Sequence, residues 1–375
     1  MSARKPLDVA LLCNPLAGGR WRVLADVLDS DEAKAAHRIV TDEISDVGEA
    51  LAGLGQRVKL LCIYGGDGTI YRVINELLRD PSATPPRIAL LGGGTMNVTA
   101  GWLGMRETPG ETFRQIMRAY MADRLLWREV PLLAVTHHGQ TQFGFTLGFG
   151  PMIRILERFE SGQKSRLNAV KIGVQSVLSA VSGFPKEYQQ VLREMDATLT
   201  VDGERIPHTR FAAVLGNVTG VINPFVEPFV GERTRDSFHF LSYAVSSREF
   251  AIMVPLLARA LVPIDPRSLL HPVSAWRQAL LSVIGERHLP ADPRYINRPA
   301  RHLVMETSEP FYTIDGEVFP ALDGRFEVRL GPQLHLATLG GRRRALRKAA
   351  PNHAEKPKSN GHSTMPHGDG ARARS

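Results

Sequence analysis

Residues 58–69 read VKLLCIYGGDGT. A mostly apolar run ends abruptly on three glycines, an aspartate and a threonine. The following TIYRVINELLRD (69–80) sets Ile70, Ile74, Leu77 and Leu78 on one helical face. The reading is strand, glycine turn, helix. It recurs on both sides: LDVALLCN (7–14) opens on NPLAGG (14–19), and PPRIALLG (85–92) opens on GGGTMN (92–97). Further out, a helix is expected over 20–29, a strand over 36–42 and a second helix over 46–55. Apolar strands that alternate with helices at short spacing predict a parallel sheet covered on both faces.

Glycine turns at the carboxyl ends of parallel strands face one crevice, where open sheets bind ligands. Their exposed N–H groups, with the N-terminus of the next helix, suit phosphate. Thr69 is placed to cap that helix or to donate its hydroxyl to a phosphate. Asn14 is placed to bond a neighbouring loop or a nucleotide, with turn formation before Pro15 as the plainer reading. Asp67 fits a bare phosphate site poorly, because a carboxylate repels phosphate unless a cation or proton intervenes. Phosphoryl transfer supplies a reason for it, since the reaction uses Mg²⁺ and a carboxylate near the attacking hydroxyl; an Asx-turn is the structural alternative. Neither a G-x-x-x-x-G-K-[ST] loop nor a G-x-G-x-x-G after the first strand is present, which excludes the commonest nucleotide motifs.

After about residue 127 the pattern changes. LLAVTHHGQTQFGFTLGFG (132–150) reads as a hairpin. ATLTVDGERI, HFLSYAVS, FYTIDGEVF and GRFEVRLGP read as further strands, and 151–182 and parts of 247–285 as helices. The expected organisation is an α/β part over 7–127, an antiparallel part with helical insertions over 128–340, and a tail over 341–375.

The chain has 375 residues and a net charge of +8. From Gly341 onward nine basic and two acidic residues carry +7 of it, so the body is nearly neutral. The tail is expected to be disordered, and its Arg-rich start is suited to anionic lipid. QFGFTLGFG lacks interleaved Lys or Arg, so nucleic acid is not an expected partner. No run of 18 apolar residues occurs; FAIMVPLLARALVPI (250–264) is interrupted by Pro255 and Arg259. The N-terminus lacks the apolar core of a secretory signal. Cys13 and Cys62 are expected in buried strands, and a reducing, cytoplasmic setting follows. His137 and His138 are expected at a turn or on the surface.

Together the motifs resemble the diacylglycerol kinase catalytic-domain superfamily, especially its soluble bacterial lipid kinases, with sphingosine, ceramide and NAD kinases as more distant relatives. The family's N-P-x-[SA]-G turn is matched by Asn14-Pro15-Leu16-Ala17-Gly18, G-G-D-G-T by Gly65–Thr69, G-T-x-N by Gly94-Thr95-Met96-Asn97, and D-G-E by Asp315-Gly316-Glu317. The resemblance implies a phosphofructokinase-like N-terminal domain and a C-terminal β-sandwich, with ATP in the cleft between them. It implies that Asn14, Gly65, Gly66, Gly68, Thr69, Gly94, Thr95 and Asn97 line the nucleotide. Asp67 would place Mg²⁺–ATP, Asp315 would act as general base on a lipid hydroxyl, and Glu317 would support it.

The chain departs from the family at Val98, where Asp-Phe-Ala often follows G-T-x-N, and at Asp236-Ser237, where a structural metal site often holds Asp-Asp-Gly. Asp236 keeps one metal ligand there with Glu232 as helper, or Arg233 or Arg235 replaces the cation. The first DGE, at Asp202 and Glu204, reads as an ordinary hairpin. Three functions fit: an ATP-dependent kinase of a lipid alcohol such as diacylglycerol; a kinase of another hydroxyl, including NAD, with Asn75-Glu76 as the comparison; or a non-enzymatic sensor. Peripheral contact at the inner membrane face and a homodimer are open.

Overall fold

The structure, a computed structural model, describes residues 8–17, 21–41, 47–52, 57–94, 97–105, 107–162, 166–222, 228–229, 233–257 and 292–339. The expected tail, Gly18, Thr95, Glu232 and 258–264 of the stretch 250–264 lie outside them. The four N-terminal strands are β1 (Val9–Cys13), β2 (His37–Val40), β3 (Leu60–Tyr64) and β4 (Arg87–Leu90), all parallel in the order β4-β3-β1-β2. β1 and β3 are buried along their whole length, as expected of central strands covered on both faces, whereas β2 lies at the edge and is largely exposed. Around them run α1 (Trp21–Leu28), α2 (Asp31–Ala35), α3 (Val47–Ala52), α4 (Asp67–Leu77), α5 (Val98–Trp102) and α6 (Pro109–Met121). α6 begins on Thr108, whose hydroxyl accepts from Glu111 N at 3.3 Å, with Pro109 in the first turn. Cys13 and Cys62 are buried free thiols, and burial pushes Cys13 up to about 12.

The later strands are β5 (Leu126–His137), β6 (Gln140–Gly144), β7 (Thr146–Phe149), β8 (Met195–Val201), β9 (Glu204–Arg205), β10 (Arg210–Phe211), β11 (Ala213–Asn217), β12 (Phe238–Tyr243), β13 (Tyr295–Ala300), β14 (His302–Thr307), β15 (Phe311–Ile314), β16 (Glu317–Pro320) and β17 (Arg325–Thr338). Helices α7 (Pro151–Glu160), α8 (Arg166–Ser182) and α9 (Ser247–Leu257) are inserted among them. An antiparallel sheet runs β13-β12-β11-β7-β15-β16. The other late strands join the first sheet, so that a mixed α/β sheet stands beside an all-antiparallel one.

The joint is β17. Its first half pairs antiparallel with β14, its end pairs parallel with β4 through Leu336 and Ile88, and β5 pairs with it along almost its whole length. The register shifts between Leu330 and Gln333, where Gly331 and Pro332 interrupt the ladder; proline has no N–H to give. The expected boundary at 127/128 falls inside β5, and residues 8–339 lie within one compact unit.

The hairpin expected over 132–150 forms between β5 and β6, but the Phe-rich stretch is not one strand. It breaks at Phe145: β6 stays with β5 while β7 enters the second sheet. His138 is exposed in the turn as expected. His137 is buried instead, stacked on Phe326 at 4.3 Å, because its Nε2 accepts from Leu322 N at 3.0 Å and both ring nitrogens find partners inside the fold.

Candidate active site

The ends of β1, β3 and β4, with residues 14–17 and the second and third glycine turns, meet because the three strands are neighbours. Asn14 N–H donates to Tyr64 O at 3.0 Å, and Gly93 N–H to Gly65 O at 2.8 Å. The turns touch backbone to backbone: a Cβ on Gly94 would come within 2.6 Å of Gly66 Cα, so only glycine permits the approach. Asn14 Nδ2 donates to Thr69 Oγ1 at 2.8 Å and its Oδ1 accepts from Leu16 N at 2.9 Å. Asn14 therefore bonds a neighbouring loop, and Thr69 keeps its own proton to donate. The cap of α4 is Gly66 rather than Thr69, and α4 starts two residues earlier than the sequence suggests. Asn97, at φ +50, folds its amide back onto Gly94: Gly94 N–H donates to Oδ1 at 2.7 Å, and Nδ2 donates to Gly94 O at 2.8 Å. It shapes the third turn from within.

Asp67 is the first residue of α4. Val98 N–H donates to its Oδ2 at 3.4 Å, and its Oδ1 is buried with no hydrogen-bond partner among the described residues. Burial raises its pKa, against the pull of backbone amides at Val98, Thr99 and Asn97. An orphaned, buried carboxylate oxygen beside glycine turns fits a contact to a Mg²⁺-bound nucleotide, since Mg²⁺ is usually held by one or two carboxylates plus phosphate oxygens and water.

Asp315 reaches the same place from the other end of the chain. It sits at φ +53 and Gly316 at φ +90, a tight turn between β15 and β16. Its carboxylate takes two consecutive amides at the β6–β7 break: Phe145 N–H at 2.9 Å and Thr146 N–H at 2.8 Å, both to Oδ1. Burial pushes its pKa up to about 7; the two amides oppose this, and the charges of Asp67 and Glu317 add to it. A carboxylate of ordinary pKa is a weak base for an alcohol, and this one is matched to neutral pH. Glu317 lies against the first turn of α4, where a Cβ on Gly68 would overlap its Oε1. The DGE and GGDGT motifs thus meet across a shared boundary.

Sequence reasoning missed Tyr71 here and weighed Asn75 only as part of the NAD-kinase comparison, although helical spacing carried the signal. Asp67, Tyr71 and Asn75 recur every four residues, on a different face from Ile70, Ile74 and Leu77. Tyr71 is buried against Phe319 at 5.4 Å. Burial, then the charges of Tyr312, Asp315 and Glu317, keep its hydroxyl protonated. Asn75 pairs with the backbone of β6: its Nδ2 donates to Phe143 O and its Oδ1 accepts from Phe143 N–H, both at 2.8 Å. Phe143 is two residues before the amide that holds Asp315. Asn75 therefore sets the spacing between α4, which carries Asp67, and the strand that holds Asp315. If the site transfers phosphate from ATP, Asn75→Ala is expected to lower kcat roughly 10-fold or more, with ATP affinity little changed. It should also destabilise the fold by about 1–3 kcal/mol through the unpaired Phe143 backbone. Equal kcat in the variant and parent enzyme, measured at saturating ATP, would remove this positioning role.

Asp202, expected in an ordinary hairpin, and Asp236, expected as a metal ligand, both stay apart from this arrangement. Asp202 forms the same kind of turn at φ +54, and its Oδ1 accepts from Arg301 N–H at 2.7 Å and His302 N–H at 2.9 Å, but it faces Arg298 near the surface. Asp236 is engaged at both oxygens, by the Thr234 hydroxyl at 2.6 Å and by Arg301 Nε at 2.8 Å. Among the described residues no three His, Cys, Asp or Glu side chains gather as a metal site. Arg233 Nη1 donates to Ser237 O at 2.9 Å in that same turn.

The candidate site is the meeting of glycine turns with two buried carboxylates, Asp67 and Asp315. The family model of the diacylglycerol kinase catalytic domain matches residues 8–123. A provisionally assigned diacylglycerol kinase from Bacillus anthracis str. Sterne is similar in fold, with a TM-score of 0.57 and 18% identity over 88% of this chain and 96% of its own. A further diacylglycerol kinase structure from that strain gives 0.54 and 16% over 88% and 96%. An NAD kinase from Archaeoglobus fulgidus, in complex with ATP, gives 0.41 and 11% over 88% and 93%. No curated protein matches the chain. The resemblance to the diacylglycerol kinase catalytic domain is thus shown over the N-terminal segment, and the solved structures, at 18% identity and below, show a likeness of fold.

Proposed function

We propose that the chain is an ATP-dependent lipid kinase that transfers the γ-phosphoryl group to the hydroxyl of a diacylglycerol-like acceptor. The observation that carries this reading is the buried Asp315 carboxylate, held by the Phe145 and Thr146 amides in the turn whose Glu317 lies against Gly68, next to Asp67. In this reading the first unit is phosphofructokinase-like, the later strands form a β-sandwich, and the cleft between them is the active site. The amides of 65–69 and the N-terminus of α4 hold the phosphates of ATP, with Thr69 donating its free proton. Asp67 would hold Mg²⁺, which neutralises phosphate charge when bound. As the acceptor oxygen bonds to the γ-phosphorus and the bond to the β-phosphate oxygen breaks, the acceptor proton passes to Asp315 and ADP leaves. Glu317 orients this group. Peripheral contact with anionic lipid through the basic tail belongs to the same proposal.

Radiolabelled ATP with Mg²⁺ and a panel of diacylglycerol, phosphatidylglycerol, sphingoid base, ceramide and NAD tests it. Label on a lipid alcohol is the expected result. Label on NAD alone would replace the acceptor, and no transfer to any member would leave the sensor reading.

A further inference from the structure

Asn217, the last residue of β11, is fully buried, and its side-chain amide makes four hydrogen bonds. Nδ2 donates to Thr146 Oγ1 at 2.7 Å and to Val221 O at 2.9 Å. Oδ1 accepts from Thr219 N–H at 2.7 Å and from Gly220 N–H at 2.5 Å. A buried amide is costly unless its donors and acceptor are all engaged, and here they are. The bonds run in two directions. Those to Thr219, Gly220 and Val221 close the turn that follows β11. The one to Thr146 crosses to β7 and reaches a residue that grips Asp315.

Thr146 is bound to Asp315 through its backbone on both sides: its N–H donates to Oδ1 at 2.8 Å, and its carbonyl accepts from Asp315 N–H at 2.9 Å. Phe145 supplies the other amide on the carboxylate, and it too is tied to the end of β11, where Val218 N–H donates to Phe145 O at 3.0 Å. Successive N–H groups of a regular strand point to opposite sides, so two consecutive amides meet one carboxylate oxygen only where the strand is broken. The β5–β6 ladder ends at Gly144 and the β11–β7 ladder begins at Thr146, so neither ladder sets the direction of the Phe145 amide. Asn75 holds one side of this break at Phe143; Asn217 and Val218 hold the other. We propose that Asn217 is a positioning residue for Asp315, acting through the Thr146 hydroxyl to aim the two amides of the β6–β7 break at the carboxylate. Its effect on turnover rests on the lipid-kinase reading; its hold on the break does not.

Amide hydrogen exchange and turnover, read on the same variants, test the two parts separately. Asn217→Ala and Thr146→Val each remove the Nδ2–Oγ1 bond. Thr146→Val keeps the backbone bonds and the outline of the side chain, so it carries the test if Asn217→Ala does not fold. Both should speed exchange at Phe145 and Thr146 roughly tenfold, while the amides of β1 and β3 exchange as in the parent. With Mg²⁺–ATP and diacylglycerol in mixed micelles, both should lower kcat roughly tenfold and leave KM for ATP within about twofold. Thr146→Ser, which restores the hydroxyl, should recover most of both losses. In an Asp315→Asn background, Asn217→Ala should lower kcat by no more than about twofold, because the group it positions is already gone. Parent-like exchange at Phe145 and Thr146, or the same fall in kcat with and without the Asp315 carboxylate, would overturn the proposal. Faster exchange in the variants, with no phosphoryl transfer by the parent to any lipid, would overturn the lipid-kinase reading and leave the hold of Asn217 on Asp315 standing.

Discussion

Asp315→Asn is expected to lower kcat by roughly 10²–10⁴-fold, the range for loss of a general base, while ATP affinity stays within about threefold. Asparagine keeps the turn and an oxygen that accepts from Phe145 and Thr146 N–H, so the geometry survives and only the proton acceptor is lost. The parent enzyme must hold Asp315 ionised to use it. Its rate should therefore rise with pH through about 7 and level off above, and the variant's residual rate should be flat across that interval.

Stability should move the other way. The folded-state pKa of Asp315 lies above its ordinary value, so the fold favours the protonated form. The stability this gives is full below the unfolded pKa and is lost as pH rises through about 7. At pH 8 Asp315→Asn should melt at a higher temperature than the parent, and the gap should close towards pH 4. Rate–pH profiles and thermal melts of both proteins check this. A variant with the parent's rate, or one less stable at pH 8, would remove the base from the mechanism.

Asp67→Asn should also abolish most turnover, through a different step. Val98 N–H needs an acceptor at Oδ2, so the asparagine oxygen takes that place and its NH₂ occupies the position of the orphaned Oδ1. A donor then points where a cation would bind. The expected result is a fall in kcat of at least about 10²-fold and loss of the Mg²⁺-dependent gain in ATP affinity. Calorimetry with ATP alone and with Mg²⁺–ATP reads the second effect separately from turnover. If Mg²⁺ strengthens ATP binding equally in both proteins, Asp67 does not hold the ion. Asp202→Asn is the control and should stay within about threefold of parent turnover, since its neighbours are Arg298, Arg301 and His302.

Much of the first sheet was legible because local pattern suffices there. VALLC and LLCIY are continuous apolar runs, and they became central buried strands. The helix after GGDGT followed from the spacing of Ile70 and Ile74, both buried. The glycine turns were legible as turns, and their contact follows once β3 lies between β1 and β4. The long strand β17 was not, because Gly331-Pro332 reads as an end. The ladder to β5 carries it past that point, and a bulge absorbs the missing donor. His137 was misplaced for a related reason: a histidine beside a turn reads as exposed until Phe326, nearly two hundred residues later, is packed under it.

The two DGE sequences mark the division most clearly. Sequence alone marked each aspartate-glycine pair as a hairpin turn; in the structure both residues of each pair lie at positive φ, and each aspartate takes two consecutive amides where one strand gives way to the next. Tertiary structure decided which turn has chemistry. Asp202 faces water and Arg298, whereas Asp315 is closed off by α4 and the β6–β7 break, with Asp67 and Glu317 as its charged neighbours. A carboxylate's basicity is set by the water and charge around it, and the groups that exclude that water and supply that charge come from Phe145, 170 residues away, and from the first glycine turns, more distant still.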